Sequence, residues 1–352
     1  MKTTIVILSV FILIVGLIPV IKKDYWVFRV FDYPRFQKLI LCLIILVLWL
    51  LLGFNDFGKL DYILFVGVVL MAIFQIYQIY PFTMFSQKMV VNSETGSDFP
   101  AITVMVINVY QDNKDYQKAL NLIQTQNPDI LLLVETDRNW AKEMSVLKKS
   151  HPNFIEIPQD NTYGMLFYSK LRILEHEVLH LIDREVPSIQ ALVELDSGDN
   201  VKIFAIHPKP PVPNENPKST DRDAEILLVG KKVKDYDKPT LVIGDLNDVG
   251  WSYTNELFLK ISGLLDPRRG RGMFNTFHAK YFFLRWPLDH IFVSKQFTLD
   301  SLKIHENIGS DHFPISAKFS LKPKNNNENY ESDKEDEDTA DEKIENGKSG
   351  KS

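Results

Sequence analysis

The sequence predicts an α/β domain preceded by membrane-spanning helices. Three observations carry this. The first eighty or so residues hold three apolar runs. From about Phe99 to Ser320, apolar stretches of strand length alternate with helical segments and then dominate. Acids, amides and imidazoles recur where those stretches end, which is where loops build sites.

The apolar runs are Ile5–Ile21, Leu39–Phe54 and Tyr62–Tyr80. A spanning helix needs roughly 17–25 apolar residues. The first run also has the form of a signal peptide, since Lys2 precedes it. However, Pro19-Val20-Ile21-Lys22-Lys23 is no small-residue cleavage site. The segment Leu41–Leu50 is apolar on every face, unlike a helix of a soluble core. Residues 1–82 therefore read as a membrane anchor with about three helices, and 83–99 as a linker. The expected location is a bacterial-type inner (cell) membrane. Between the first two runs, Trp26, Phe28, Phe31, Tyr33 and Phe36 interleave with Lys22, Lys23, Arg29, Arg35 and Lys38, a mixture suited to lipid headgroups. The basic residues of this loop place it, and the domain that follows three spans, in the cytoplasm. A signal-anchor reading of Met1-Lys2 gives the opposite side, and both stay open.

Residues 321–352 carry six Lys against ten Asp or Glu and few apolar residues, so an acidic disordered tail is expected. Residues 1–99 carry eight basic and six acidic side chains, and the whole chain carries −5. The middle is left at −3, without the basic footprint usual for duplex binding. The single cysteine, Cys42, lies in an apolar run, which excludes an intrachain disulfide.

In the domain at 100–320, Ala101–Asn108 reads as a buried strand. A helix over Asp115–Gln126 is stopped by Asn127-Pro128. Ile130–Val134, Gly164–Tyr168, Ile189–Glu194, Val201–Ile206, Leu241–Ile243, His290–Val293 and Ile315–Phe319 read as strands, and Asp221–Val229 as a helix. Polar residues mark the strand ends: Asn108, Glu135, His207, Asp245, Asn247, Asp289, Asp311 and His312. Singly, Asn108 reads as a turn residue and His207 as a surface histidine. Alternation points His290 away from Asp289, into a structural role. Taken together, turns alone do not explain the set. Hard-metal ligands and a general base meeting a phosphate do.

The order of these residues resembles the endonuclease/exonuclease/phosphatase superfamily over about Ala101 to Leu321. Gly244-Asp245-Leu246-Asn247 and Ser310-Asp311-His312-Phe313-Pro314 are its most specific motifs here. Asn108 matches the first-strand asparagine, and Glu135 the metal-binding glutamate, with Val134 where a glutamine is usual. His207 and Asp289 match the strand-end histidine and the aspartate before the penultimate strand. Glu185 matches the acid that orients the histidine. The resemblance implies a deoxyribonuclease I-like four-layer α/β sandwich, two mixed sheets face to face with helices outside.

It also implies a divalent-metal-dependent hydrolase of phosphodiester bonds. Metal is expected at Glu135, with Asp311 and Asn108 beside it. Oxygen ligands favour Mg2+ or Mn2+. His312, paired with Asp311, or alternatively Asp245, would handle the nucleophilic water. His207 and Asn247 would donate to phosphate oxygens, and Asp289 would orient a neighbouring histidine. Arg268, Arg269 and Arg271 suit phosphate and are expected to bind substrate. Arg285-Trp286 is expected at the pocket rim. Nucleic acid and lipid headgroup both remain as substrates. A phosphomonoesterase and an inactive binding module are the further alternatives.

Overall fold

A computed structural model describes residues 1–350 apart from 54–56, 95–97, 214, 237, 323–326 and 328–329. The first unit contains helix α1 (Lys2–Leu17), a short α2 (Trp26–Arg29), α3 (Arg35–Leu52) and α4 (Lys59–Ile79). Three helical segments, Lys2–Val20, Arg35–Leu52 and Lys59–Phe82, are long and apolar enough to cross a membrane. Close helix contact comes from small residues: a Cβ on Gly16 would collide with the Met71 thioether. Trp49 donates from Nε1 to Ser9 Oγ at 3.0 Å. The Lys2–Asp61 ion pair, at 2.6 Å, fixes the starts of α1 and α4 at one end. The loop 18–34 and the end of α4 lie at the other, and the second unit begins there.

That unit holds two mixed sheets. The first comprises β1 (Ala101–Asn108), β2 (Ile130–Val134), β3 (Asn153–Ile157), β4 (Met165–Ser169), β10 (Phe297–Ile304) and β11 (Ile315–Leu321), in the order β10-β11-β1-β2-β4-β3. The second comprises β5 (Arg172–Leu179), β6 (Ser188–Glu194), β7 (Asn200–Ala205), β8 (Thr240–Asp245) and β9 (Asp289–Val293), in sequence order. Among the described residues, β1·β2 and β7·β8 pair in parallel and the other strand pairs are antiparallel.

Strand alternation makes the layers. Ile102, Val104 and Val106 of β1 share one core with Ile203, Ala205, Leu241 and Ile243 of the second sheet. The opposite residues Met105 and Ile107 pack on α5 (Tyr116–Gln126) and α6 (Arg138–Met144). Phe204, Val242 and Phe292 pack on α7 (Thr220–Lys234) and α8 (Tyr253–Ser262). This is the expected four-layer sandwich. Asn127 ends α5 with φ at 48°, the left-handed cap suited to asparagine.

Two segments depart from expectation. Part of the presumed linker is laid on the domain: Val90 is fully buried in the central core. The Leu299 N–H donates to Val91 O at 2.9 Å, and the Ser93 N–H to Leu299 O at 2.9 Å. Within the tail expected to be disordered, Lys334–Lys348 forms helix α9. Asp333 and Asp336 close a capping box. Ala340, Ile344 and Gly347 fall at helical spacing on one buried face against α7 and α8. Lys260 pairs with Asp336 at 2.9 Å. Net composition hid this, because three small or apolar residues at the right spacing suffice when charged partners await the rest.

Candidate active site

The parallel pairs send the C-terminal ends of β1, β2, β7 and β8 to one edge of the sandwich. Antiparallel β9 and β11 bring their N-terminal ends to the same edge, so Asp245 and Asp289 are register partners. Asn108, Glu135, His207, Asp245, Asp289 and His312 therefore converge from two sheets. The end of β8 needs its glycine. Gly244 has φ at 147°, and a Cβ there would lie 1.9 Å from Ile206 O. Glu135 and Asn247 also sit at positive φ, 59° and 51°, a local strain tolerated at sites.

Asn108 is the bridge of the first cluster. Its Nδ2 donates to Glu135 Oε1 at 2.7 Å and to Asp245 Oδ2 at 2.9 Å. Its Oδ1 accepts the Tyr110 N–H. Asn108, expected from sequence as a metal ligand, here orients two carboxylates through its amide nitrogen. Glu135, His207 and Asp245 bring one ligand atom each within 4.8 Å of one another. Glu135 Oε2 has only a 3.4 Å contact from the Gln111 N–H. Two hard carboxylates and an imidazole, with oxygen lone pairs left over, fit a divalent cation. Burial pushes the Glu135 carboxyl up to about 7, against the Asn108 hydrogen bond. Burial likewise raises Asp245 and lowers His207, which is thereby held neutral.

The second cluster is Asp245, Asp289 and His312. His312 Nδ1 meets Asp289 Oδ2 at 2.7 Å, and Nε2 lies 3.5 Å from Asp245 Oδ2. Burial alone would lower the imidazole. The Asp289 and Asp245 carboxylates outweigh it and push His312 up to about 10. The expected pairing with Asp311 is thus corrected: Asp289 holds the ring. Chain neighbours leave a turn in different directions, whereas β9 carries Asp289 directly to the imidazole. Among the described residues, Asp311 belongs to neither cluster, though its charge raises both Glu135 and His312.

Asn247 turns away from the pocket, donating from Nδ2 to Pro208 O at 3.0 Å. Its N–H donates to Asp245 Oδ1 at 2.9 Å and so aims that carboxylate. Sequence reasoning missed what holds Asn247 from behind. Tyr33 donates from its hydroxyl to Asn247 O at 2.8 Å, and Arg222 from Nη1 to the same oxygen at 2.7 Å. Arg222 is buried against Asp223 and Asp248. Trp251 donates to Asp32 O at 2.9 Å. A membrane-loop tyrosine and an arginine in a charged helix gave no local signal. Ser310, by contrast, stood within a recognised motif; its Oγ donates to Asn108 O at 2.8 Å and accepts the His312 N–H.

The arginine cluster is corrected. Arg268 is buried, chelating Asp266 and donating to His290 Nδ1 at 2.6 Å. Arg269 is buried against Glu256. Arg271 donates to Val90 O at 2.6 Å and clamps the 82–93 segment. These guanidiniums are folded onto partners within the chain rather than presented to the pocket; the sequence shows the arginines but not Asp266 folded onto Arg268. Glu185 is exposed. His207 Nδ1 has no partner among the described residues, so the transferred orienting role of Glu185 fails. His290 has the structural role expected of it, with Nε2 2.8 Å from Asp248 O. Arg285 lies 4.8 Å over the Phe313 ring, and Trp286 stacks on Phe277.

The endonuclease/exonuclease/phosphatase family model matches residues 105–312, the span that supplies every residue of both clusters. Solved structures share the fold. A family protein from Bacteroides thetaiotaomicron is 19% identical, covering 64% of this chain and 100% of its own, with a TM-score of 0.54. D. rerio TDP2, complexed with a single-strand DNA product, is 18% identical over 63% and 99%, with a TM-score of 0.53. The human Nocturnin catalytic domain, with a bound sulfate anion, is 20% identical over 64% and 96%, with a TM-score of 0.52. No curated protein sequence matches significantly.

Proposed function

We propose that this chain, which belongs to the endonuclease/exonuclease/phosphatase family, is a divalent-metal-dependent hydrolase of phosphodiester bonds, anchored in a membrane by its three apolar helices. The observation that carries the reaction is the pair of clusters sharing Asp245. Mg2+ or Mn2+ would sit on Glu135, oriented by Asn108 with Asp245 beside it, and would neutralise phosphate and leaving-group charge. Asp311 stands close enough to add its field while remaining outside both clusters. His312, held protonated between Asp289 and Asp245, donates from Nε2 to a phosphate oxygen as charge builds. Neutral His207, with Nε2 4.0 Å from Asp245 Oδ2, would donate beside it. Asp245, its Oδ1 aimed by the Asn247 N–H, would take the proton of an attacking water.

The membrane reading rests on α1, α3 and α4, with the site on the side of loop 18–34. That loop carries Lys22, Lys23 and Arg29, and the rule favouring basic loops inside a cell supports a cytoplasmic site.

The test uses the purified full chain and bis(4-nitrophenyl) phosphate. Turnover is expected with Mg2+ or Mn2+ and none in excess chelator. Glu135→Gln, which removes a hard anion and keeps size, is expected to raise the metal concentration for half-activity by at least about tenfold. Undiminished turnover in chelator would reject the metal.

A further inference from the structure

Four consecutive apolar side chains stand in water beside the site. Tyr281, Phe282, Phe283 and Leu284 are 56, 72, 78 and 47% exposed. They form the tip of a flap whose two limbs are joined by the Phe277 N–H to Trp286 O and the His278 N–H to Leu284 O, 2.9 and 3.0 Å. The base of the flap belongs to the site. The Phe277 ring lies 4.9 Å from the His312 ring, and the Ala279 N–H donates to Asp311 O at 2.6 Å.

The depth of the tip is fixed by the first unit. Gln37, in the first turn of α3, donates from Nε2 to Phe283 O at 2.7 Å. The tip thus lies level with the end of a helix apolar enough to cross a membrane. Met84 and Phe85, just past the end of α4, are 79 and 86% exposed at the same end of the bundle. Lys280 and half-buried Arg285 flank the flap, giving the aromatic and basic mixture that settles at headgroups.

An isolated apolar loop is a contact for many partners. Continuity with three helix ends at one level selects a bilayer. A nucleic acid is disfavoured, because Arg268 and Arg269 are spent internally.

We propose that the Tyr281–Leu284 tip enters the boundary between headgroups and acyl chains, and that the site beside it hydrolyses phosphate esters of membrane lipids. The substrate half rests on the hydrolase reading above; the insertion half does not. On hydrolysis, water adds to phosphorus, the P–O bond to one alcohol breaks, and the released alkoxide takes a proton.

The full chain is reconstituted in phosphatidylcholine–phosphatidylglycerol vesicles. Insertion is read on Phe283→Cys carrying an environment-sensitive fluorophore, in a Cys42→Ala background. Quenching by lipids brominated near the glycerol is expected. Quenching by aqueous iodide alone overturns insertion. Turnover is read on vesicle lipid and on bis(4-nitrophenyl) phosphate. Phe282→Ser/Phe283→Ser is expected to lose at least about tenfold on lipid and to stay within about twofold on the soluble diester. Wild type that cleaves the soluble diester but no lipid overturns the substrate class, as does faster cleavage of single-stranded DNA that the double variant leaves unchanged. Wild type that cleaves neither overturns the hydrolase reading itself, while the fluorophore still reports on insertion.

Discussion

At the scale of single residues, the site is a contest between burial and charge, and His312 shows how it is decided. Burial disfavours an imidazolium, yet two carboxylates within 3.5 Å hold it protonated up to about pH 10. Asp289→Asn removes the nearer carboxylate. The ring is then expected to titrate close to its ordinary value, so activity falls above about pH 7 and returns below about pH 6. His312→Ala is expected to lose on the order of a hundredfold at every pH. A pH–rate profile separates the two, and an unshifted alkaline limb in Asp289→Asn would remove the protonated donor. The types of these residues were legible in sequence because polar groups ending apolar strands need a reason. Their partners were legible only in part: the resemblance gave Asp289 a neighbouring histidine to orient without saying which. Nothing local distinguishes Asp289 from Asp311 as the companion of His312, since the choice is made by strand register.

Among the elements, α7 is the clearest case of tertiary context overriding pattern. Its opening, Thr220-Asp221-Arg222-Asp223-Ala224-Glu225, reads as a solvated first turn, yet Arg222, Asp223 and Glu225 are all buried. Ser188 donates to Glu225 Oε1 at 2.7 Å, but burial still pushes that carboxyl up to about 7 from an ordinary 4.5. Between those values the folded chain binds more protons than the unfolded one, so stability falls as pH rises through the window. Glu225→Gln is expected to abolish this slope and to be more stable than wild type above about pH 7. Denaturation midpoints measured across the window check it; parallel curves would mean Glu225 is ionised throughout. The strands were legible for the opposite reason. Residues of β1 and β2 alternate between two apolar cores, so both faces are buried and each strand reads as a nearly continuous apolar run. Helix α9, with one narrow apolar face among acids, leaves almost none.

Over the whole molecule, the first unit and the sandwich are interlocked. Phe82 fills a pocket of Val249, Trp251 and Leu288, Val90 enters the central core, and Tyr33 holds Asn247. Hydropathy separates 1–82 from 100–320 cleanly, but it reports solvent preference and says nothing of contact between parts. A fragment limited to 100–320 is expected to melt on the order of 10 °C below one spanning 81–350, from the lost burial of Phe82 and Val90 alone. The loss of α9 adds to this. Differential scanning calorimetry on both fragments decides it, and equal melting would show that the linker and tail contacts contribute nothing.

Lys343 of α9 reaches Asp24 Oδ1 at 3.1 Å and Asp223 Oδ2 at 3.0 Å. Asp24 and Lys343 are 319 residues apart in the chain. A ribosome adding about 5–20 residues per second separates their emergence by on the order of tens of seconds. Assembly therefore has a clock. The anchor loop and both sheets are made while Asp223 lacks its lysine, and the support beneath Asn247 is completed last. A nascent chain paused before Lys343 already carries the metal and phosphate groups proposed for the site, on a scaffold that still lacks both Lys343 ion pairs.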